Sequence, residues 1–179
     1  MNELEITGGH SNQSRYKLAF ARLKVTVEKG CFIEASMIAE SVISDRLLSH
    51  LNVMRDGGFT FSGPSKKVVE KLGHKTIFRD LIEAWKQTFS DPSKDGRFPA
   101  LPDRVDLWRE KRNVAAHAIV KANPETRSFD VGLREFMGQL GDCAREGASL
   151  AREVSSWKTC MHRLLERKNK SIKDSTRRS

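Results

Sequence analysis

The chain has 179 residues, of which 38% are hydrophobic and 31% charged, so it can bury one core beneath a heavily charged surface. Lys and Arg number 32 against 23 for Asp and Glu, and the net charge of +9 favours polyanionic partners over neutral or cationic ones. The same charge could also serve only to keep a soluble protein dispersed. The three widely spaced cysteines are expected to be buried thiols and not a disulfide scaffold or a zinc site. Because the N-terminus has no apolar run and no apolar stretch is long enough to cross a bilayer, we expect neither a secretory signal nor a membrane span. We expect a soluble cytoplasmic protein.

Hydrophobic periodicity predicts an all-α fold, a bundle of five or six helices. Residues 1–13 are polar and are expected to be flexible, and helical periodicity begins at Ser14 and stops at Gly30. The next helix carries a stripe at three-and-four spacing in which two polar side chains, Glu40 and Ser44, interrupt the apolar ones. That stripe consists of Ile33, Met37, Glu40, Ser44, Leu47, Leu51 and Met54.

A short basic helix and a helix over residues 76–89 follow, and then a loop that holds three of the five prolines. A further helix contains Val105, Trp108 and Ala115 and is broken at Asn123–Pro124. The last predicted helix is the longest, and a seam of apolar and small residues runs along it from Phe136 to Leu164 in alternating steps of four and three. The pattern does not tell whether this seam meets the same chain or a second copy. The periodicity ends after Leu165, and residues 166–179, with six basic residues and two acids, are predicted to form a disordered basic tail.

One short motif points to chemistry. In KRNVAAHAI, residues 111–119, Arg112, Asn113 and His117 stand among small apolar residues on one predicted helix. An Arg–Asn pair followed by His at one of three spacings is expected only about 0.05 times by chance in a chain of this composition. The structural alternative is that His117 is a core histidine and that Arg112 pairs with Glu110 or another acid.

The stretch DLWREKRNVAAHAIV resembles the signature helix of the HEPN superfamily, whose members are all-α and generally dimeric and carry R-N-x-x-x-H or near variants. The stretch IEASMIAESVISDRLLSHL is similar to the second helix of such domains, which often brings a polar or acidic residue to the same cleft. The resemblance covers residues 14–165, although only the nine-residue core is specific. Some family toxins carry a tyrosine two residues after the histidine that is modified to silence them; Ile119 occupies that position here.

The resemblance implies a metal-independent endoribonuclease without a cofactor, of the kind found in toxin–antitoxin and phage-defence systems. Arg112, Asn113 and His117 would be catalytic, Glu40 and Ser44 would support them, and RNA, a second copy of the chain and an antitoxin or defence-complex protein would be the partners. Other members have lost catalysis and bind nucleotides, RNA or proteins, and this alternative stays open.

The residue types suit the implied reaction. Histidine transfers protons near neutral pH, and arginine offers a fork of donors that stays charged. Arg112 and His117 lie about 140° apart around a helix, so we expect a two-fold dimer to complete the cleft. We expect Glu40 to be buried and to pair with Arg112, unless the helix is rotated so that Glu40 faces water.

Overall fold

The computed structural model describes the backbone of residues 10–93, 95–121 and 129–176, and the side chains of residues 14–93, 95–116 and 133–167. Within these ranges the protein is all-α, as predicted, with six helices and no strand. None of the described helices is apolar over a length that would cross a bilayer. The helices are α1 (His10–Glu28), α2 (Phe32–Asp56), α3 (Gly63–Glu70), α4 (Phe78–Thr88), α5 (Leu101–Lys121) and α6 (Phe129–Thr176).

Glycines end the first two helices in the same way. Gly30 and Gly58 have φ angles of +74° and +81°, which residues with a Cβ adopt only under strain. After α1 the amide of Cys31 donates to the carbonyl of Thr26 at 2.8 Å, and after α2 the amide of Phe59 donates to the carbonyl of Met54 at 2.9 Å. These bonds close the Schellman caps that the glycines at the helix ends predict.

The chain divides into two compact units. The first contains α1, α2 as far as Val42, α5 from Lys111 and α6 as far as Ala148. Its part of α2 buries small side chains, namely Ala35, Ser36 and Ala39. At Gly141 a Cβ atom would lie 3.2 Å from the ring of Phe32, so glycine allows α6 to approach α2 closely here.

The second unit contains α2 from Ile43, α3, α4, α5 as far as Glu110 and α6 from Ser149. Trp85, Trp108 and Trp157 are fully buried in it. Trp85 and Trp157 meet edge to face with their ring centroids 5.0 Å apart, and the indole N–H of Trp157 donates to the carbonyl of Ser90 at 2.9 Å. Aromatic packing of this kind makes the core specific as well as apolar.

The predicted seam of α6 is buried within the single chain. Its members from Leu140 to Met161 are buried, and Phe136 and Leu164 at its ends are half-buried. The seam is therefore covered by the chain itself and is not a surface for a second copy.

The structure corrects three further predictions: the end of α6, the start of α4 and the burial of Cys31. Helix α6 continues to Thr176, so the helix end predicted at Leu165 was too early; Glu166, Arg167 and Lys168 are good helix formers and extend it without an apolar face. Helix α4 begins at Phe78, so the helix start predicted at residue 76 was two residues too early, and Ile77, which precedes the helix, is exposed. Cys31 is exposed, whereas the sequence suggested buried thiols. Of the predicted flexible segment 1–13, residues 1–9 lie outside the described residues, as do 177–179 of the predicted tail.

Candidate functional site

The clearest feature of the first unit is an ion pair between α5 and α2. The guanidinium of Arg112 donates through Nη2 to a carboxylate oxygen of Glu40. The two side chains are 26% and 27% exposed, so the pair is partly shielded from water. The partner predicted for Glu40 is thus the one that the structure gives it, although Glu40 is half-buried where the sequence predicted full burial.

The reason for this difference lies in the α2 stripe. Ile33 and Met37, which precede Glu40 on the predicted stripe, are 52% and 65% exposed. The small residues Ala35 and Ala39 are buried in their place, so the N-terminal part of α2 turns the predicted stripe toward solvent. Further along α2, Leu47 and Leu51 of the same stripe are fully buried, as predicted. Glu40 thus lies on a partly exposed face, beside Arg112.

The guanidinium of Arg112 has one unsatisfied donor. Its Nε is buried and has no hydrogen-bond partner among the residues whose side chains are described. Arg112 is thus held by Glu40 through Nη2 and is unsatisfied at Nε. Leaving a buried donor unpaired costs about 1–3 kcal/mol of folding stability. A hydrogen-bond acceptor that reached Nε would satisfy this donor.

The other predicted site residues are Asn113, His117 and Ser44. Asn113 follows Arg112 in α5 and is half-buried. The backbone of His117 lies in α5, but its side chain is outside the described residues. Ser44 is half-buried one helical turn after Glu40, in the part of α2 that belongs to the second unit. The structure brings Arg112 and Glu40 together, and the roles assigned to Asn113, His117 and Ser44 stay predictions.

Other charged groups of the first unit pair on the outside. Lys111, which precedes Arg112, contacts both carboxylate oxygens of Glu146 at 3.1 and 3.2 Å. Arg145 contacts Asp142 at 2.8 Å, and its guanidinium lies 5.9 Å from the centroid of the Phe32 ring. Arg112–Glu40 is more shielded from water than either of these two pairs. Ion pairs as exposed as Lys111–Glu146 and Arg145–Asp142 contribute little to stability.

Sequence reasoning missed a second group of polar residues, in the second unit. His50 is fully buried and its Nε2 lies 3.1 Å from the hydroxyl of Thr88. Burial, with a further contribution from the charge of Lys158, lowers the pKa of His50 to about 4. Lys158 itself is only 8% exposed.

A signal for Lys158 was present in the sequence. Beside the predicted seam, α6 carries a second column of residues at steps of three and four. Its members before Ser155 are small and buried, and Lys158 is the first long charged side chain in it. The column is Gly141, Ala144, Ala148, Ala151, Ser155 and Lys158.

Comparisons of this chain with protein-family models, with curated proteins and with solved structures find no match.

Proposed function

We propose that this chain is a metal-independent endoribonuclease of the toxin or phage-defence type, which cleaves RNA by attack of the 2′-hydroxyl. The observation that carries the proposal is the Arg112–Glu40 pair: an arginine of the R-N-x-x-x-H motif is held by a carboxylate from the preceding long helix. The HEPN-like pattern implies an acidic residue from that helix at the same place.

The pair suits a phosphate-stabilising role. A carboxylate that engages one nitrogen restrains the guanidinium, and a preorganised fork of donors is what an oxyanion-stabilising group needs. Because Nε lacks an acceptor among the described residues, the guanidinium gains from any shift that gives it one, and a phosphate oxygen is an acceptor of that kind. His117 would take the proton of the 2′-hydroxyl, and Asn113 would orient the imidazole or the ribose.

A second copy of the chain would complete the site. Ile33 and Met37 of α2 are 52% and 65% exposed, and they lie about two turns and one turn before Glu40 on the same face of α2. Large apolar side chains exposed side by side favour association. The dimer contact is proposed on this apolar surface, which we call the α2 patch (Ile33 and Met37), since the α6 seam is buried within one chain.

A basic segment offers a surface for the RNA backbone. Residues 62–79, which include α3, carry five Lys and Arg and one Glu, and 5 − 1 gives +4 of the net +9. Lys66, Lys67, Lys71 and Lys75 are exposed and make no ion pair among the residues whose side chains are described. We call these four side chains the α3 lysines. Unpaired cations attract the phosphate backbone without regard to sequence.

One observation favours the alternative, a catalytically silent module that binds a nucleotide, RNA or protein. Glu40 neutralises Arg112, and a neutralised arginine can serve packing alone. Activity separates the two functions, because a silent module has no reaction for His117 to support.

The test is cleavage of RNA in EDTA by the purified protein, by His117→Ala and by Arg112→Lys. The proposal expects cleavage by the wild type, a loss of about 10²–10⁴-fold in His117→Ala and a comparable failure of Arg112→Lys, since an ammonium lacks the planar fork. His74→Ala, which changes an exposed histidine, is the matched control and should cleave normally. Absence of cleavage by the wild type would favour the silent module, and equal cleavage by wild type and His117→Ala would contradict the role proposed for His117.

A further inference from the structure

An aromatic ring lies at the surface of the second unit, in the connection between α2 and α3. Phe59 is 37% exposed, whereas Phe61, two residues later, is only 6% exposed. The two rings meet edge to face with their centroids 4.9 Å apart. Of residues 56–76, all of which are described, Phe59 is the only exposed large apolar side chain. A buried ring thus anchors an exposed one.

The backbone around Phe59 is fixed at both ends. The amide of Phe59 donates to the carbonyl of Met54 in the cap of α2 at 2.9 Å. At Ser62, the side chain of Gln87 on α4 accepts from the backbone amide at 3.0 Å and donates to the backbone carbonyl at 3.2 Å. A ring on a segment held in this way is preorganised, so a ligand that packs on it does not have to order the chain first.

A capping role explains the position of Phe59 only in part. A residue at this place after a Schellman cap often packs on the last turn of its helix, and such packing covers part of a ring. The rest of the Phe59 ring stays in water. Single exposed apolar side chains are common on protein surfaces, so the case for a function depends on what lies beside this ring.

The α3 lysines follow Phe59 closely along the chain, and all four are exposed. Three residues of chain separate Phe59 from Ser62, and one helical turn separates Ser62 from Lys66. These lengths allow at most about 17 Å between the Cα atoms of Phe59 and Lys66. Successive nucleotides of a stacked strand are about 3.4 Å apart, so one short strand can reach both the ring and the first lysine.

We propose that Phe59 and the α3 lysines form a binding surface for single-stranded nucleic acid, with one base stacked on Phe59 and backbone phosphates at the lysines. Single strands bind where an aromatic ring stands beside cations, because the bases stack on the ring while the phosphates meet the charges. A duplex keeps its bases stacked inside and offers phosphates alone. The inference rests on the proposed function in that the polymer is RNA, and it adds that this RNA is single-stranded where it meets the surface.

A protein partner fits this surface less well. A stable protein interface buries about 800 Å² on each partner. The exposed part of one phenylalanine ring supplies less than about 100 Å² of that area. Lysine is also depleted in protein interfaces, whereas cations beside an aromatic ring are typical of single-strand binding.

The experiment measures the affinity of the full chain for a fluorescent single-stranded oligodeoxynucleotide by anisotropy. A strand of about 12 nucleotides is within the range of known single-strand sites. DNA lacks the 2′-hydroxyl that the proposed reaction needs, so binding is measured without cleavage. A second strand of the same length consists of abasic residues, which keep the phosphates and remove the bases.

Phe59→Ala should weaken binding of the normal strand by about 5–150-fold, the effect of one stacked base, and leave binding of the abasic strand unchanged. Phe59→Trp keeps an aromatic face and should bind the normal strand at least as tightly as the wild type does. Phe59→Leu keeps an apolar side chain on the cap without a π face, and it should lose affinity as Phe59→Ala does. Leu107→Ala changes another exposed apolar side chain of the second unit and should bind both strands normally.

Equal binding of the normal strand by the wild type and by Phe59→Ala would overturn the proposal. An equal loss for both strands in Phe59→Ala would overturn it too, because the ring would then only support the fold of its segment. The lysines are tested by Lys66→Gln together with Lys67→Gln, which should weaken binding of both strands. Cleavage does not enter these measurements, so a wild type that binds through Phe59 but cuts no RNA would contradict the proposed function alone.

Discussion

Arg112 and Glu40 link α5 to α2 through an ion pair in which each side chain is about one quarter exposed. Glu34, two turns earlier on α2, also holds an arginine, but its pair with Arg22 is far more open, at 68% exposure for the arginine and 42% for the acid. The two pairs on one helix therefore offer an internal comparison between a shielded and a solvated contact.

Glu40→Gln should destabilise the protein more than Glu34→Gln does. Removing Glu40 leaves a partly buried guanidinium that already has one unsatisfied donor, and we expect a cost of about 1–3 kcal/mol. Removing Glu34 should cost less than about 1 kcal/mol, because water screens an exposed pair. Urea unfolding of both variants measures the difference. Equal, small effects would show that the Arg112–Glu40 pair is a surface contact.

The α2 patch should mediate dimerisation. Ile33→Glu together with Met37→Glu places charges on this exposed apolar surface and should shift the protein from dimer to monomer in light scattering at micromolar concentration. Leu107→Glu changes a residue that is 52% exposed in the second unit and serves as the control. A monomeric, active wild type would remove both the dimer and the shared cleft.

The α3 lysines should set much of the salt dependence of RNA binding. Each phosphate contact contributes about −0.7 to the slope of log K against log salt for a single strand, so changing all four lysines to Gln should lower the slope by as much as about 3. The control changes four other exposed cations to Gln: Lys17, Lys29, Arg163 and Arg167. The same loss in the control would mean that the net charge, and not this segment, binds RNA.

His50 should make stability depend on pH. Its pKa is lowered from 6.5 to about 4 in the folded protein, so the unfolded chain takes up the proton first as the pH falls. The stabilisation is complete above about pH 6.5 and is lost between about 6.5 and 4, with a total of about 3 kcal/mol. His50→Gln keeps a polar contact for Thr88 but does not titrate, so its stability should vary less over this range than that of the wild type. His74→Gln, at an exposed position, should retain the wild-type slope.

The fold was largely predictable because most helices of this chain carry a periodic apolar face. The α6 seam illustrates this, since steps of four and three from Leu140 to Met161 coincide with burial. For the N-terminal part of α2, the sequence pattern predicts the wrong buried face. There Ala35 and Ala39 are buried while Ile33 and Met37 face solvent, because close helix approach, as at Gly141, selects small side chains over large ones.

The site was predictable only in part for a related reason. The R-N-x-x-x-H motif on one predicted helix indicates Arg112, and the interruption of an apolar stripe on another indicates Glu40. The pair could therefore be predicted from the sequence. Lys158 gave a weaker signal, because its column of small residues was not recognised as a buried face. Sequence patterns identify large apolar faces more readily than small-residue contacts, and both errors arise from that asymmetry.

The central claim, RNA cleavage through the 2′-hydroxyl, is tested most directly by the ends of the products. An RNA oligonucleotide that the protein cuts in EDTA is compared with the same oligonucleotide carrying a single 2′-deoxy residue on the 5′ side of the cut. We predict a 2′,3′-cyclic phosphate and a 5′-hydroxyl at the cut, and no cleavage at the deoxy position. Products with a 5′-phosphate, or cleavage that persists at the deoxy position, would contradict the account.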